Sequence, residues 1–331
     1  MRVGRTRDDK GKDFGGRPSS RYSAWVRWIH LGIGLGTLAI VSGLAWLAVA
    51  TRGCGRTKNG VDSEKEASQW PAPEASLHAP IIRAARGMTK IRLFVDPGHG
   101  AEGNTGNLSC FCEKEQDFTL DLAKDMGTYL QQTGRFEVML SRGVGEVVSY
   151  PDRVSASERW KAHVFLSLHS DVRGRHESWT LNDGRTCPRS ESAPGFSVLF
   201  SDEGGLATQR HILAQSLAKR MSQAGFLAYL GEQYSMYEAD PQVQGVFADR
   251  HPLDKRIFVL RQPSMPSILV ETHNAWDPRE VRRWDERHTR TVFFQVVEAT
   301  LIDFMTARPG ELSSEKDKKA SLPEADDAGG R

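Results

Sequence analysis

The chain has 331 residues, 39% of them hydrophobic and 26% charged, with 31 Gly and 15 Pro. That composition excludes a wholly disordered or fibrous chain and suits one large domain or two small ones. Lys plus Arg only just exceeds Asp plus Glu, 44 against 42, which is too little for a chain devoted to neutralising nucleic-acid phosphates, so nucleic acid is not an expected partner.

In chain order, residues 1–27 form a basic segment with eight Lys or Arg against three Asp. It leads into Trp28–Ala50, 23 residues without Asp, Glu, Lys or Arg. At about 1.5 Å per residue this run spans the roughly 30 Å hydrocarbon core of a bilayer, which predicts one transmembrane signal anchor. Positive charge ahead of it sets the N-terminus in the cytoplasm and the remainder outside, facing the periplasm or cell envelope. Ala48-Val49-Ala50 also resembles a signal cleavage site that would release the chain to the periplasm, although the apolar run exceeds the usual h-region of about 7 to 15 residues. Cys54 suggests lipidation less well, because Arg52 stands where such a signal takes a small residue.

Residues 51–88 are rich in Pro, Ala, Ser, Glu and Lys and read as a flexible tether. The tail, 307–331, mixes both charge signs with Gly and Ser and reads as disordered. Residues 89–306 are left as the folded domain, without an internal repeat. Strands are predicted at 91–95, 136–140, 164–168, 196–201, 257–260 and 267–271, and helices at about 116–132, 152–162, 205–224 and 286–306. Strands separated by helices imply an α/β sandwich with a mixed, largely parallel sheet, whose active groups sit on loops past strand ends.

Three polar residues stand at such ends. His99 follows the first strand through Asp96-Pro97-Gly98, His169 ends Val164-Phe165-Leu166-Ser167-Leu168, and Glu271 ends Ser267-Ile268-Leu269-Val270. In each case a run that must be buried delivers an ionisable side chain at its last position.

These residues, with Glu115-Gln116-Asp117 leading Leu120-x-Leu122-Ala123, then Arg142, Arg153, Ser167–Asp171 and Met265–Glu271, resemble in order the zinc-dependent N-acetylmuramoyl-L-alanine amidases of the type 3 family. The resemblance spans nearly all of 89–306. It implies a six-stranded sheet flanked by helices, one catalytic zinc ion, and cleavage of the amide between the lactyl group of N-acetylmuramic acid and L-alanine in peptidoglycan. By position, His99, Glu115 and His169 resemble the zinc ligands and Glu271 the catalytic carboxylate. The chemistry is coherent. Catalytic zinc takes three N or O ligands and keeps a position open for water, and a carboxylate that is not a ligand can move the water's proton. Glu113, two residues upstream, is the alternate ligand.

Ser109-Cys110-Phe111-Cys112 and the polar insertion between His169 and Gly195 depart from the family pattern, and nothing in that insertion reads as an element. Cys187 suits a disulfide with Cys110 or Cys112 in an oxidising envelope, against three unpaired thiols. His273 is either a substrate or supporting group or an exposed loop residue, and Asp171 a functional group or a loop cap. Trp160, Trp276 and Trp284 are candidates for sugar stacking, although helix packing is the commoner role of such tryptophans. Arg279, Arg282, Arg283, Arg287 and Arg290 form a basic cluster that would attract acidic wall polymer or be a solvated face. Arg153 reads as structural, paired with a nearby carboxylate or with the turn at Asp152. Two rival functions share the motifs: a zinc peptidase cutting within the stem peptide, and a degenerate wall-binding regulator. No wall-binding repeat is visible, so targeting rests on the anchor, the domain itself or an activator protein.

Overall fold

A computed structural model describes residues 69–307. The expected anchor at 28–50 lies outside them, as does nearly all of the expected tail; among the described residues no helix is long and apolar enough to cross a membrane. The elements are β1 (Ile91–Pro97), α1 (Glu115–Gln132), β2 (Phe136–Leu140), α2 (Tyr150–Arg159), β3 (Val164–Asp171), β4 (Glu177–Thr180), β5 (Thr186–Arg189) and β6 (Ser197–Phe200). Then follow α3 (Ala207–Gln223), β7 (Tyr237–Ala239), β8 (Val246–Asp249), α4 (Phe258–Arg261), β9 (Ser267–Asn274), α5 (Pro278–Asp285) and α6 (Arg287–Thr306).

The sheet has seven strands in the order β2-β1-β3-β9-β6-β8-β7, not six. The β2, β1, β3 and β9 strands are parallel, β6 pairs antiparallel to β9, and the three-residue β7 closes the edge antiparallel to β8. Strand alternation divides the core. Leu93 and Val95, Leu166 and Leu168, and Ile268 and Val270 pack in the larger cluster with residues of α1, α3 and α6, whereas Phe94, Phe165 and Leu269 face the opposite layer, which holds α2 and α4. Continuing that period of two, His169 and Glu271, register partners across β3 and β9, project on the side of Phe165 and Leu269.

Residues 257–260, expected as a strand, contribute instead to α4, with Val259 and Leu260 buried. A four-residue apolar run carries no period that separates strand from helix, and the strand of this region is Val246–Asp249, buried throughout. The segment expected as a tether is, from Trp70 onward, part of the fold. The Trp70 indole packs on Phe226 and Trp284 and donates to Glu280 Oε1 at 2.7 Å, while Arg283 donates to the carbonyls of Ala72, Pro73 and Ala75.

The polar insertion after β3 holds the hairpin β4–β5, and Cys187 on β5 is disulfide-bonded to Cys112, 75 residues away. Cys110 is a buried free thiol whose pKa is pushed up to about 12 by burial and the Asp277 charge, so it stays protonated. A disulfide typically contributes about 2–4 kcal/mol to stability. Cys112→Ala with Cys187→Ala is therefore expected to lower unfolding stability by that amount in denaturant titrations; an unchanged midpoint would show that the bridge does not constrain the chain.

Candidate metal centre

The turn after β1 places His99 in the left-handed region, φ 62°, where a non-glycine residue needs outside support. Two buried guanidinium groups supply it. Arg153 pairs with Asp96 at 2.9 Å and donates to the carbonyls of Pro97 and His99, and Arg142 donates to those of Pro97, Gly98 and Gln116. The expected structural role of Arg153 is thus realised with Asp96 as its carboxylate. Gly98 is required for a different reason: a Cβ there would lie 2.4–2.6 Å from ring atoms of His169.

His99 Nε2 lies 2.9 Å from Glu115 Oε2, His169 Nδ1 is 3.0 Å from Glu115 Oε1, and the two ring nitrogens are 3.1 Å apart. Among the described residues this is the one group of three or more such side chains arranged to hold a metal ion. Glu113 is exposed and lines a separate surface hollow with Asp121 and Arg290, so the carboxylate that meets the histidines is Glu115.

Hydrogen bonds from outside the triad orient His99 and Glu115. Asn104 Oδ1 accepts from the Gly106 N–H, which fixes the amide's orientation, and from His99 Nδ1 at 2.7 Å. With its proton on Nδ1, His99 presents the Nε2 lone pair to the site. Glu115 Oε2 accepts the backbone and side-chain N–H groups of Asn107, and Oε1 accepts the Ser170 N–H. Burial alone would raise the Glu115 pKa, but its contacts with His169 and His99 outweigh that and hold it well below the usual carboxylate range. Burial works to lower the His99 pKa, but the contacts with Glu115 and Asn104 together outweigh it and raise the value. Two half-buried imidazoles and a buried anionic carboxylate, converging on one point, are a donor set that fits zinc.

Glu271 opens into the same cleft, about 590 Å³, whose other walls include Tyr150, Tyr237, Ile257 and Phe258. Its Oε2 is buried with no hydrogen-bond partner. Burial, followed by the charges of Asp171 and Glu115, raises its pKa well above the ordinary value, against the pull of Arg173. Asp171 also lines the cleft. Its Oδ2 accepts from Arg173 Nε at 2.8 Å and Tyr234 O–H at 2.6 Å, and its Oδ1 accepts the Val172 N–H.

Other candidates belong to the framework. His273 is buried between Phe118 and Trp284, with its pKa lowered to about 3 by burial and Arg173, so it is a neutral core residue and not an exposed loop histidine. Trp284 is fully buried and Trp160 packs beside the Phe94–Phe165 cluster; Trp276 packs at a tilt against His176 and donates to the Leu108 carbonyl. Within the basic cluster, Arg283 is spent on the N-terminal segment, Arg290 on Asp121 and Asp125, and Arg279 on Asp277. Asn104, Asn107 and Tyr150 were not among the expected site residues. Their only trace in the sequence is the concentration of polar residues between His99 and Glu115, and an aromatic residue at the start of α2.

Fold and site together define an α/β domain that carries a three-donor metal site and a separate carboxylate at the ends of parallel strands. More particularly, the chain belongs to the N-acetylmuramoyl-L-alanine amidase family, whose profile matches residues 93–301. It is similar to the N-acetylmuramoyl-L-alanine amidase AmiC of Escherichia coli, 25% identical over 72% of this chain and 55% of that protein. It also resembles the sporulation-specific N-acetylmuramoyl-L-alanine amidase of Bacillus subtilis, 31% identical over 41% of this chain and 56% of that protein. The chain thus spans about half the length of these curated relatives. The fold is shared with a solved N-acetylmuramyl-L-alanine amidase of Mycobacterium smegmatis, with a TM-score of 0.52 and 17% identity over 67% of this chain and 99% of that one.

Proposed function

We propose that this chain is a zinc-dependent N-acetylmuramoyl-L-alanine amidase that hydrolyses the amide between the lactyl group of N-acetylmuramic acid and L-alanine in peptidoglycan. The observation that carries the reading is the convergence of His99, Glu115 and His169 with Glu271 in one cleft, in a chain of that family. Held by the three donors, zinc supplies Lewis acidity, which acidifies a water and polarises a carbonyl oxygen. Glu271 Oε2, with no partner of its own, accepts a proton from the attacking water as the new C–O bond forms. It returns that proton to the alanine nitrogen as the C–N bond breaks. Arg142 and Arg153 hold the His99 turn, and Asn104, Asn107 and Ser170 keep the donor atoms aimed.

In this reading residues 28–50 anchor the chain in the cytoplasmic membrane, and the domain faces the periplasm or cell envelope; the Cys112–Cys187 bridge agrees with an oxidising compartment. Digesting purified peptidoglycan with the full chain and weighing the products tests the activity. Stem peptides with a free L-alanine amine beside intact glycan are expected; fragments cut inside the stem would identify a peptidase instead.

A further inference from the structure

Tyr150 also lines the reaction cleft, and the hydrogen-bonding role of its hydroxyl follows from the atoms around it. The Gly106 N–H can only donate, so the Asn104 atom that meets it at 3.1 Å is the carbonyl oxygen Oδ1. The other end of that amide, Nδ2, lies 2.8 Å from the Tyr150 hydroxyl and has only protons to offer. Tyr150 therefore accepts from Asn104, and its own proton must go elsewhere. Among the described residues that hydroxyl has no other hydrogen-bond partner. Its neighbours on the cleft wall include His99, His169 and Glu271.

The ring is held for such a task. Tyr150 is the first residue of α2, whose N-cap Ser149 accepts the Asp152 N–H, and the Arg153 guanidinium lies 5.1 Å from the ring centroid. Burial raises the phenol's pKa above its ordinary value of about 10, so at neutral pH the hydroxyl keeps its proton.

We propose that Tyr150 is a substrate-binding residue, whose O–H donates a hydrogen bond to a neutral acceptor oxygen of the muramoyl-peptide segment bound over the metal site. The proposal rests on the amidase reading above. It differs from a purely structural role, in which Tyr150 would only buttress Asn104 and, through it, His99. Tyr150→Phe keeps the ring and removes the donor, and it separates the two roles.

The experiment compares the full-length wild type with Tyr150→Phe, measuring amide cleavage of purified peptidoglycan, zinc affinity by chelator competition, and thermal unfolding. The expected result is a ten- to hundredfold lower kcat/KM, with zinc affinity and unfolding temperature unchanged, the size expected when one substrate hydrogen bond is lost. Unchanged cleavage by an active wild type would overturn the proposal alone. A loss of zinc affinity in step with activity would also overturn it, assigning Tyr150 to the support of His99. A wild type that binds zinc but releases no stem peptide from the glycan would overturn the amidase reading and this proposal with it.

Discussion

Glu271→Gln is expected to keep zinc and fold while turnover falls by about 10²–10⁴-fold, the usual contribution of a positioned proton-transfer group. The substitution preserves shape and removes only the ability to take a proton. Zinc should stay, because the converging donors are His99, Glu115 and His169, and Glu271 reaches the cleft from the neighbouring strand. Stability should not fall either. Gln fills the same space, and Glu271 Oε2 makes no hydrogen bond that the substitution would break. Metal content, thermal unfolding and peptidoglycan cleavage on the one variant decide the matter. If Glu271→Gln loses zinc, Glu271 is a ligand; if it cleaves at the wild-type rate, the proton passes through another group.

The strands that carry the site are legible in the sequence because burial leaves a plain mark there. β1, β3 and β9 begin as apolar runs with one layer on each side, and the ionisable residues that follow those runs face the cleft, although β3 and β9 themselves continue to Asp171 and Asn274. His99, His169 and Glu271 are recognised in that way, and Glu115 from the helix that it opens. The atoms that aim those donors leave no such mark. Asn104 and Asn107 sit in a loop without periodicity, and their roles depend on distances to His99, Glu115 and Ser170 that only the folded chain sets. Trp70 is hidden for a different reason. One aromatic residue in a Pro- and Ala-rich segment reads as linker until Phe226, Trp284 and Glu280 come together to receive it. The insertion after β3 likewise depends on a long-range bond, since its short hairpin is tied to the Glu115 loop through Cys112.

Removing a metal ligand is expected to have a larger effect than any change around it. Chelation should abolish activity and added zinc restore it, while His99→Ala, His169→Ala and Glu115→Ala should each lose metal and activity together. Loss of an outer-shell partner typically costs about 10–100-fold in metal affinity, so loss of one of three protein ligands should exceed that range. Glu115 also carries the negative charge that holds both imidazoles in place. Without it two neutral rings converge on the ion, and the N–H groups of Asn107 and Ser170 lose their acceptor. Glu113→Ala is the control, because Glu113 is exposed and lines a different hollow; it should keep both zinc and activity. Metal analysis and cleavage assays on the four variants, with circular dichroism to confirm folding, give the comparison. A Glu115→Ala protein with full zinc beside a Glu113→Ala protein without it would move the ligand two residues upstream. Stoichiometric zinc in either histidine variant would remove that histidine from the site, because the two donors left behind cannot hold the ion as three do.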